Sequence, residues 1–422
     1  MNIKSIIQEK FEMIKYIILK MFDMGLGFLI TLLIVKKLTG YEYGVYTLII
    51  TVLGLLISFG FSWTSSSLMY FGVEEKLKYG SLNRTFWARN IILLSTYILI
   101  LSIFILFYKK LDIYLTVKVS SYIFVWMTLK ILTDYISVYY LATEKRFVSV
   151  CTTITIKIFL IFFLFMITST LQDVLIFSII SECTGLVWIV KIDRKDFGKF
   201  IFNRDIFKEV LTFGLWQLFG FTGLYLINFG DNLVIKKFLT ITDVGVYNVA
   251  YQLYTGMASF AFLFSNYFAP QVVKAINKKD IKKINSIYKR DRYLLVLLLT
   301  IPHIVVIIFA RNLILTFYGL NYEEATTSLI VLTIVSLCEY FTVFNMLTYN
   351  CFRKYHILQI MNIIQAVLNV LLDIILVPYF GITGAAYGTL LSFLIIATLK
   401  TYFAEQLLKN FKNIYLNKDT ND

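Results

Sequence analysis

The stretch "DNLVIKKFLTITDVGVYNVAYQL" (231–253) sets an aspartate inside one of the most apolar regions of the chain, then runs through two lysines, a short polar turn and Gly-Val-Tyr. "KKLTGYEYGVY" (36–46) has the same order. Lys36-Lys37 and Lys236-Lys237 are 200 residues apart, and the triplets at Gly44 and Gly245 are 201 apart, close to half of 422. An acidic residue, Glu42 or Asp243, stands two places before each glycine. A second echo pairs "YLATEKRF" (140–147) with "YNCFRKYH" (349–356), each a short basic connection between apolar runs. Basic helix ends and glycine starts are common, but two echoes at nearly one offset point to a duplicated chain. An even number of spans per half keeps both halves in one orientation, so the repeat is parallel.

Composition agrees with a membrane solution. The chain is 59% hydrophobic and 16% charged, against roughly half apolar and a quarter charged in soluble domains. Runs of the roughly 20 residues that cross a bilayer recur throughout. We read twelve spans, near 13–35, 46–71, 86–108, 115–141, 147–168, 171–190, 210–235, 245–271, 293–310, 325–350, 357–379 and 383–404. Pro302 and Arg311 interrupt the ninth, and an eleven-span count would arise there. The net charge of +14 does not indicate nucleic acid, because the basic residues cluster between apolar runs. The connection 274–292 alone holds eight Lys and Arg, and 194–208 is also basic, whereas the alternate connections hold at most two each. By the positive-inside asymmetry both termini are expected in the cytoplasm. The start lacks the pattern of a cleaved signal peptide and reads as an amphipathic lead-in to the first span. No connection is long enough for a soluble catalytic domain.

Catalytic signals are poor. His303 and His356 stand apart, the four cysteines have no paired spacing, and neither HExxH nor a phosphate-binding glycine loop is present. His303, beside Pro302, reads as a partner for backbone freed by the proline. What stands out is charge inside spans, which costs about 2.5–3.5 kcal/mol per residue at the bilayer centre and so faces an interior. The residues are Asp23, Lys130, Asp134, Lys157, Glu182, Asp231, Glu339 and Asp373, and a polar cavity between the halves would accommodate them. Lys130 and Asp134 share a helix face and can pair, as can Lys20 and Asp23. Lys157 has no acidic neighbour within a turn and reads as a lone cation for an anionic head group. Glu182 suits either a buried interhelical hydrogen bond or function. Asp231 lies near the C-terminal end of its span, where the helix dipole disfavours an acid; that calls for a basic side chain, a cation or a proton as partner.

The run 36–46, its counterpart 231–253 and "GITGAAYGTLLSFL" (381–394), with Gly381, Gly384 and Gly388 allowing a tight turn and close packing, resemble lipid-linked oligosaccharide flippases. These are the polysaccharide-export (Wzx-type) members of the multidrug/oligosaccharidyl-lipid/polysaccharide exporter superfamily, and the likeness covers essentially the whole chain in length and span count. It implies an all-α polytopic membrane protein: two parallel six-helix bundles, residues 1–200 and 201–422, around a central cavity. It further implies a non-enzymatic flippase without a cofactor, in the bacterial inner membrane, moving oligosaccharide units on undecaprenyl pyrophosphate for O-antigen or capsule. Alternating access coupled to H⁺ or Na⁺, contact with membrane lipids and a partnership with polysaccharide polymerase machinery follow from the same resemblance. The departure is in the cavity, where only Lys130 and Lys157 read as mid-span cations, with Arg89 near the inner end of span three. A drug/cation antiporter of the same superfamily is the alternative, though spans one and seven lack the proline expected of it; a polymerase or ligase would need a longer outer loop.

Overall fold

The computed structural model describes residues 3–143, 145–166, 170–192, 200–352 and 354–416. Residues 194–199 of the basic connection 194–208 lie outside them. Among the described residues the chain is helical: α1 Ile3–Lys37, α2 Gly40–Ile57, α3 Trp63–Ser67, α4 Val73–Tyr79, α5 Asn83–Leu115, α6 Ser120–Ala142, α7 Arg146–Met166, α8 Leu171–Gly185, α9 Arg204–Phe238, α10 Ile241–Asn277, α11 Ile281–Asn285, α12 Arg292–Phe317, α13 Ala325–Cys351, α14 Tyr355–Phe380 and α15 Ile382–Leu416. Ten helical stretches among the described residues are long and apolar enough to cross a membrane. The helices α6 and α10, of 23 and 37 residues, are the other two of crossing length. The chain is a multi-pass membrane protein. Pro302 sits within α12 without ending it, so the ninth span is one helix. Leu94, Ile98, Leu99, Ile103 and Leu106 of α5 are exposed, which is the surface that bilayer hydrocarbon covers without penalty.

Two compact units divide the chain, Met1–Thr222 and Gly223–Asp422. In the first, α1 packs on α7, and α6, α7 and α8 pack on one another. In the second, α13 is central, against α10, α12 and α15, and α14 lies along α15.

The repeated hairpin has a local cause. Thr39 caps α2 by accepting from the Glu42 amide at 3.3 Å, while Glu42 Oε2 accepts from the Thr39 amide at 3.0 Å. Thr240 and Asp243 do the same at the start of α10, at 3.2 and 2.9 Å. Each is a reciprocal capping box worth about 1 kcal/mol. The acids found in the two echoes are half of this device, and the threonines three places earlier are the other half. The second echo is structural too. Tyr140, at the end of α6, donates to the Trp188 carbonyl at 2.6 Å, and Tyr349, at the end of α13, donates to the Lys400 carbonyl at 2.9 Å. Both tyrosines are fully buried; Tyr140 ties α6 to the 3-10 segment Leu186–Lys191 that follows α8, and Tyr349 ties α13 to α15.

The run at 381–394 behaves as its glycines suggest. Gly381 has a φ of +59° between α14 and α15, where side chains are strained. A Cβ at Gly384 would press on the Leu376 carbonyl, and one at Gly388 would overlap Asp373 Oδ1, so α14 and α15 meet backbone to backbone.

Candidate functional site

The eight embedded charges fall into four clusters, two in each unit. The most buried is in the second unit. Asp231 on α9 is 1% exposed and Asp373 on α14 is fully buried, and the two carboxyls are close enough to interact electrostatically. Around Asp231 are hydroxyl and amide groups. Tyr247 of α10 donates to Oδ2, and Thr389 of α15 donates to the same oxygen at 3.0 Å. The Asn369 amide, one turn before Asp373, lies 3.2 Å from Asp231 Oδ1 and 3.3 Å from Thr389 Oγ1; turning its NH₂ to Asp231 satisfies both atoms. Both oxygens of Asp373 are buried with no donor. Among the described residues no lysine or arginine pairs with either acid. Of the three partners the sequence left open for Asp231, a basic side chain does not take that place among the described residues. Buried carboxyl groups in a medium of low dielectric are neutralised rather than left charged. The carboxyl oxygens of Asp231 and Asp373, with Thr389 Oγ1, make a hard-donor set that suits a proton or a small cation such as Na⁺.

A ladder of tyrosines leads away from this pair along α10. Tyr247, Tyr251 and Tyr254 lie on one helix face, their ring centroids 6.0 and 5.4 Å apart in succession. Tyr251 donates to Asn228 Oδ1 at 3.2 Å, and Tyr254 donates to Glu339 Oε1 of α13 at 2.5 Å. Lys400 of α15 is held by two neutral oxygens, Asn362 Oδ1 at 2.8 Å and Gln365 Oε1 at 2.9 Å. The reading of the sequence missed Lys400, although it falls within the twelfth span. It also missed that Asn362, Gln365, Asn369 and Asp373 mark one polar stripe on α14 at helical spacing, a signal that was available.

In the first unit the charges pair. Lys157 Nζ lies 2.8 Å from Asp23 Oδ1 and 2.7 Å from the Asp23 carbonyl, and Lys20 holds the other carboxylate oxygen at 3.0 Å. This corrects the reading of Lys157 as a lone cation: α1 packs on α7 and supplies an acid 134 residues away in the chain. Lys130 lies 3.2 Å from Asp134 and 3.6 Å from Glu182 of α8, and Glu182 also accepts from Thr133 at 2.7 Å. Of the two options for Glu182, the interhelical contact is present, with both a hydroxyl and a lysine. His303 is fixed by the Leu299 carbonyl and Ser336 Oγ, both at 2.8 Å. The carbonyl it reaches is its own i−4 group, next to the one that Pro302 frees.

Long apolar helices in two units, with ion-paired embedded charges in one and an oxygen-lined carboxyl pair in the other, define a polytopic membrane protein with polar groups held inside its helix bundles. Two solved structures share the fold: the lipid II flippase MurJ in an inward closed conformation (TM-score 0.72, 18% identity, 94% of this chain and 90% of that one) and an inward-facing multidrug resistance transporter of the MATE family, in the MOP superfamily (TM-score 0.71, 13% identity, 93% and 96%). The family model described as "Polysaccharide biosynthesis protein" matches residues 33–327, and the chain belongs to that family. The superfamily resemblance read from the hairpins is thereby upheld. Among curated relatives, the chain is similar to the uncharacterized membrane protein MJ1068 of Methanocaldococcus jannaschii (24% identity, 51% of this chain, 44% of the relative). It is also similar to the probable low-salt glycan biosynthesis flippase Agl15 of Haloferax volcanii (23% identity, 46% of this chain, 42% of the relative). The chain aligns over less than half the length of each.

Proposed function

We propose that the protein is a flippase that carries lipid-linked oligosaccharide units, on undecaprenyl pyrophosphate, across the cytoplasmic membrane by alternating access, with both termini in the cytoplasm. A cation, H⁺ or Na⁺, bound between Asp231 and Asp373 supplies the driving force. The observation that carries the coupling is the buried carboxyl pair, which has no basic partner among the described residues. A fixed lysine there would make a permanent structural ion pair; an exchangeable cation makes the charge of the site depend on the gradient. Membership of a polysaccharide biosynthesis family and similarity to the Haloferax glycan flippase favour a lipid-linked glycan over a drug as cargo. Polymerase machinery that consumes the exported unit is the expected partner.

The test is reconstitution of the whole chain in proteoliposomes with a fluorescent undecaprenyl-pyrophosphate oligosaccharide on one leaflet. Accumulation on the other leaflet, stimulated by an imposed Na⁺ or H⁺ gradient, is expected. Absence of glycan movement together with gradient-driven efflux of an organic cation would replace this reading with the antiporter. Glycan movement indifferent to any gradient would remove the coupling and leave the cargo.

A further inference from the structure

Arg89 of α5 is fully buried, yet among the described residues it has no carboxylate within 4.0 Å, unlike Lys130 and Lys157 of the same unit. Its Nε donates to Thr64 Oγ1 at 3.3 Å and its Nη2 to Ser65 Oγ at 3.2 Å, while Nη1 is buried without an acceptor. The guanidinium also packs against Phe61 and Tyr135, 5.1 and 4.6 Å from their ring centroids. Two hydroxyls and two rings orient an arginine but leave its charge uncompensated, and arginine does not lose its proton in a protein. A permanent charge inside a membrane helix bundle needs an anion.

The segment facing it is unusual in two ways. "SWTSSS" (62–67) is the most hydroxyl-rich run in an apolar span, and it is flanked by two π-helical turns, Ser58–Ser62 and Leu68–Gly72. Such turns add a residue to the helix, shift the register of side chains and occur often at functional sites. Here they rotate Thr64 and Ser65 onto Arg89. Ser65 Oγ accepts from the guanidinium, so its own proton must point elsewhere. It lines an open pocket of about 360 Å³ with Ser66, Tyr70, Val138 and Phe213, a volume in the range of small-ligand sites. Thr64 spends its proton on the Phe61 carbonyl at 2.9 Å; Ser65 has no such acceptor among the described residues and offers its proton to the pocket.

We propose that this pocket binds a phosphoryl anion, with Arg89 as the fixed charge behind Ser65 and with the Ser65 and Ser66 hydroxyls as donors to its oxygens. The chemistry fits because a phosphoryl oxygen takes hydrogen bonds strengthened by a cation, and an anion here completes the neutralisation that the chain's own acids leave undone. The pyrophosphate of a lipid carrier and a free phosphate or pyrophosphate present the same oxygens. Assigning the first source rests on the flippase reading; the site itself does not.

Thermal unfolding of the full-length protein in nanodiscs is the measurement, with inorganic pyrophosphate titrated at constant ionic strength and, separately, with undecaprenyl pyrophosphate or uncharged undecaprenol in the lipid. Saturable stabilisation by pyrophosphate or by the pyrophosphate lipid, but not by undecaprenol, is expected. The half-saturation concentration should rise about tenfold or more in Ser65→Ala and in Arg89→Gln, as loss of a charge-assisted bond requires. Stabilisation by both probes, or by the lipid alone, supports the head group as ligand; stabilisation by the free anion alone supports a soluble anion at the same site. Ser65→Ala removes one oxygen from a half-buried position, so it remains informative if Arg89→Gln does not fold. No stabilisation of wild type by either probe, or equal half-saturation in wild type and Ser65→Ala, overturns the site. If wild type moves no glycan but keeps Ser65-dependent pyrophosphate binding, the flippase reading falls and the anion site stands.

Discussion

Tyr254 of α10 donates to Glu339 of α13 at 2.5 Å, and the two tyrosines above it on the same helix face end at Asn228 and Asp231. Two embedded acids on different helices are thus joined to one row of hydroxyls. Removing the last rung should expose the cost of an unsatisfied acid. Tyr254→Phe is expected to destabilise the protein by about 1–3 kcal/mol, as a buried group stripped of its partner does. Glu339→Gln keeps an acceptor and should cost less. Thermal unfolding in detergent ranks the two, and the reverse order would deny Glu339 its dependence on the tyrosine.

Thr389 and Asn369 should tune the cation site without building the fold. Thr389→Val removes the donor 3.0 Å from Asp231 and one of the oxygens assigned to the cation. Gradient-stimulated transport should need about tenfold more Na⁺ or H⁺, in line with the loss of one hydrogen bond to a charged group. Asp231→Asn and Asp373→Asn should each abolish the stimulation at normal protein level. Stimulation at wild-type cation concentrations in all three would place the coupling elsewhere.

Gly388 is the steric test of the same site. A Cβ there would overlap Asp373 Oδ1, so Gly388→Ala must move a buried carboxyl or separate α14 from α15. Overpacking of this kind costs about 1–3 kcal/mol, and coupling should fail with it. A methyl group at Gly256 of α10 would meet nothing within 4 Å, so Gly256→Ala should be neutral or stabilising by about 0.5–1 kcal/mol. Unfolding curves of the pair separate a local clash from a general intolerance of helix glycines.

Lys157 should act through Asp23, not on substrate. Lys157→Met leaves Asp23 with Lys20 alone and should lower stability and protein level. Adding Asp23→Asn should recover part of the loss, because the damage from a broken buried pair is the charge left behind. A double variant no better than the single one would return Lys157 to the role of an anion-binding cation.

Loss of either capping threonine, Thr39→Ala or Thr240→Ala, should cost about 1 kcal/mol, with similar values at the two positions because the devices are copies. A large cost at one and none at the other would show that the repeated hairpins have diverged in use.

Much of the architecture was legible along the chain because its causes are local. Bilayer thickness sets the length of each apolar run, loop charge marks the connections, and the capping boxes at Thr39 and Thr240 are four-residue devices that survive duplication at a fixed offset. The polar stripe Asn362–Gln365–Asn369–Asp373 was equally local and waited only for its helical period to be counted. Partners of the embedded charges were different in kind. Lys157 reads as solitary until α1 packs on α7 and brings Asp23 to 2.8 Å. Asp231 and Asp373 are 142 positions apart in sequence and meet only where α9, α14 and α15 converge. Arg89 reads as one more basic residue at a helix end; its isolation shows only in the fold, where no carboxylate among the described residues lies within 4.0 Å of it. The sequence by itself determined that the chain is an all-helical, multi-pass membrane protein and where its polar connections fall. Tertiary structure decided which charges pair with one another and which are buried without an oppositely charged partner among the described residues. Pairing depends on distances of a few ångströms between helices remote in the chain, and no local pattern encodes those.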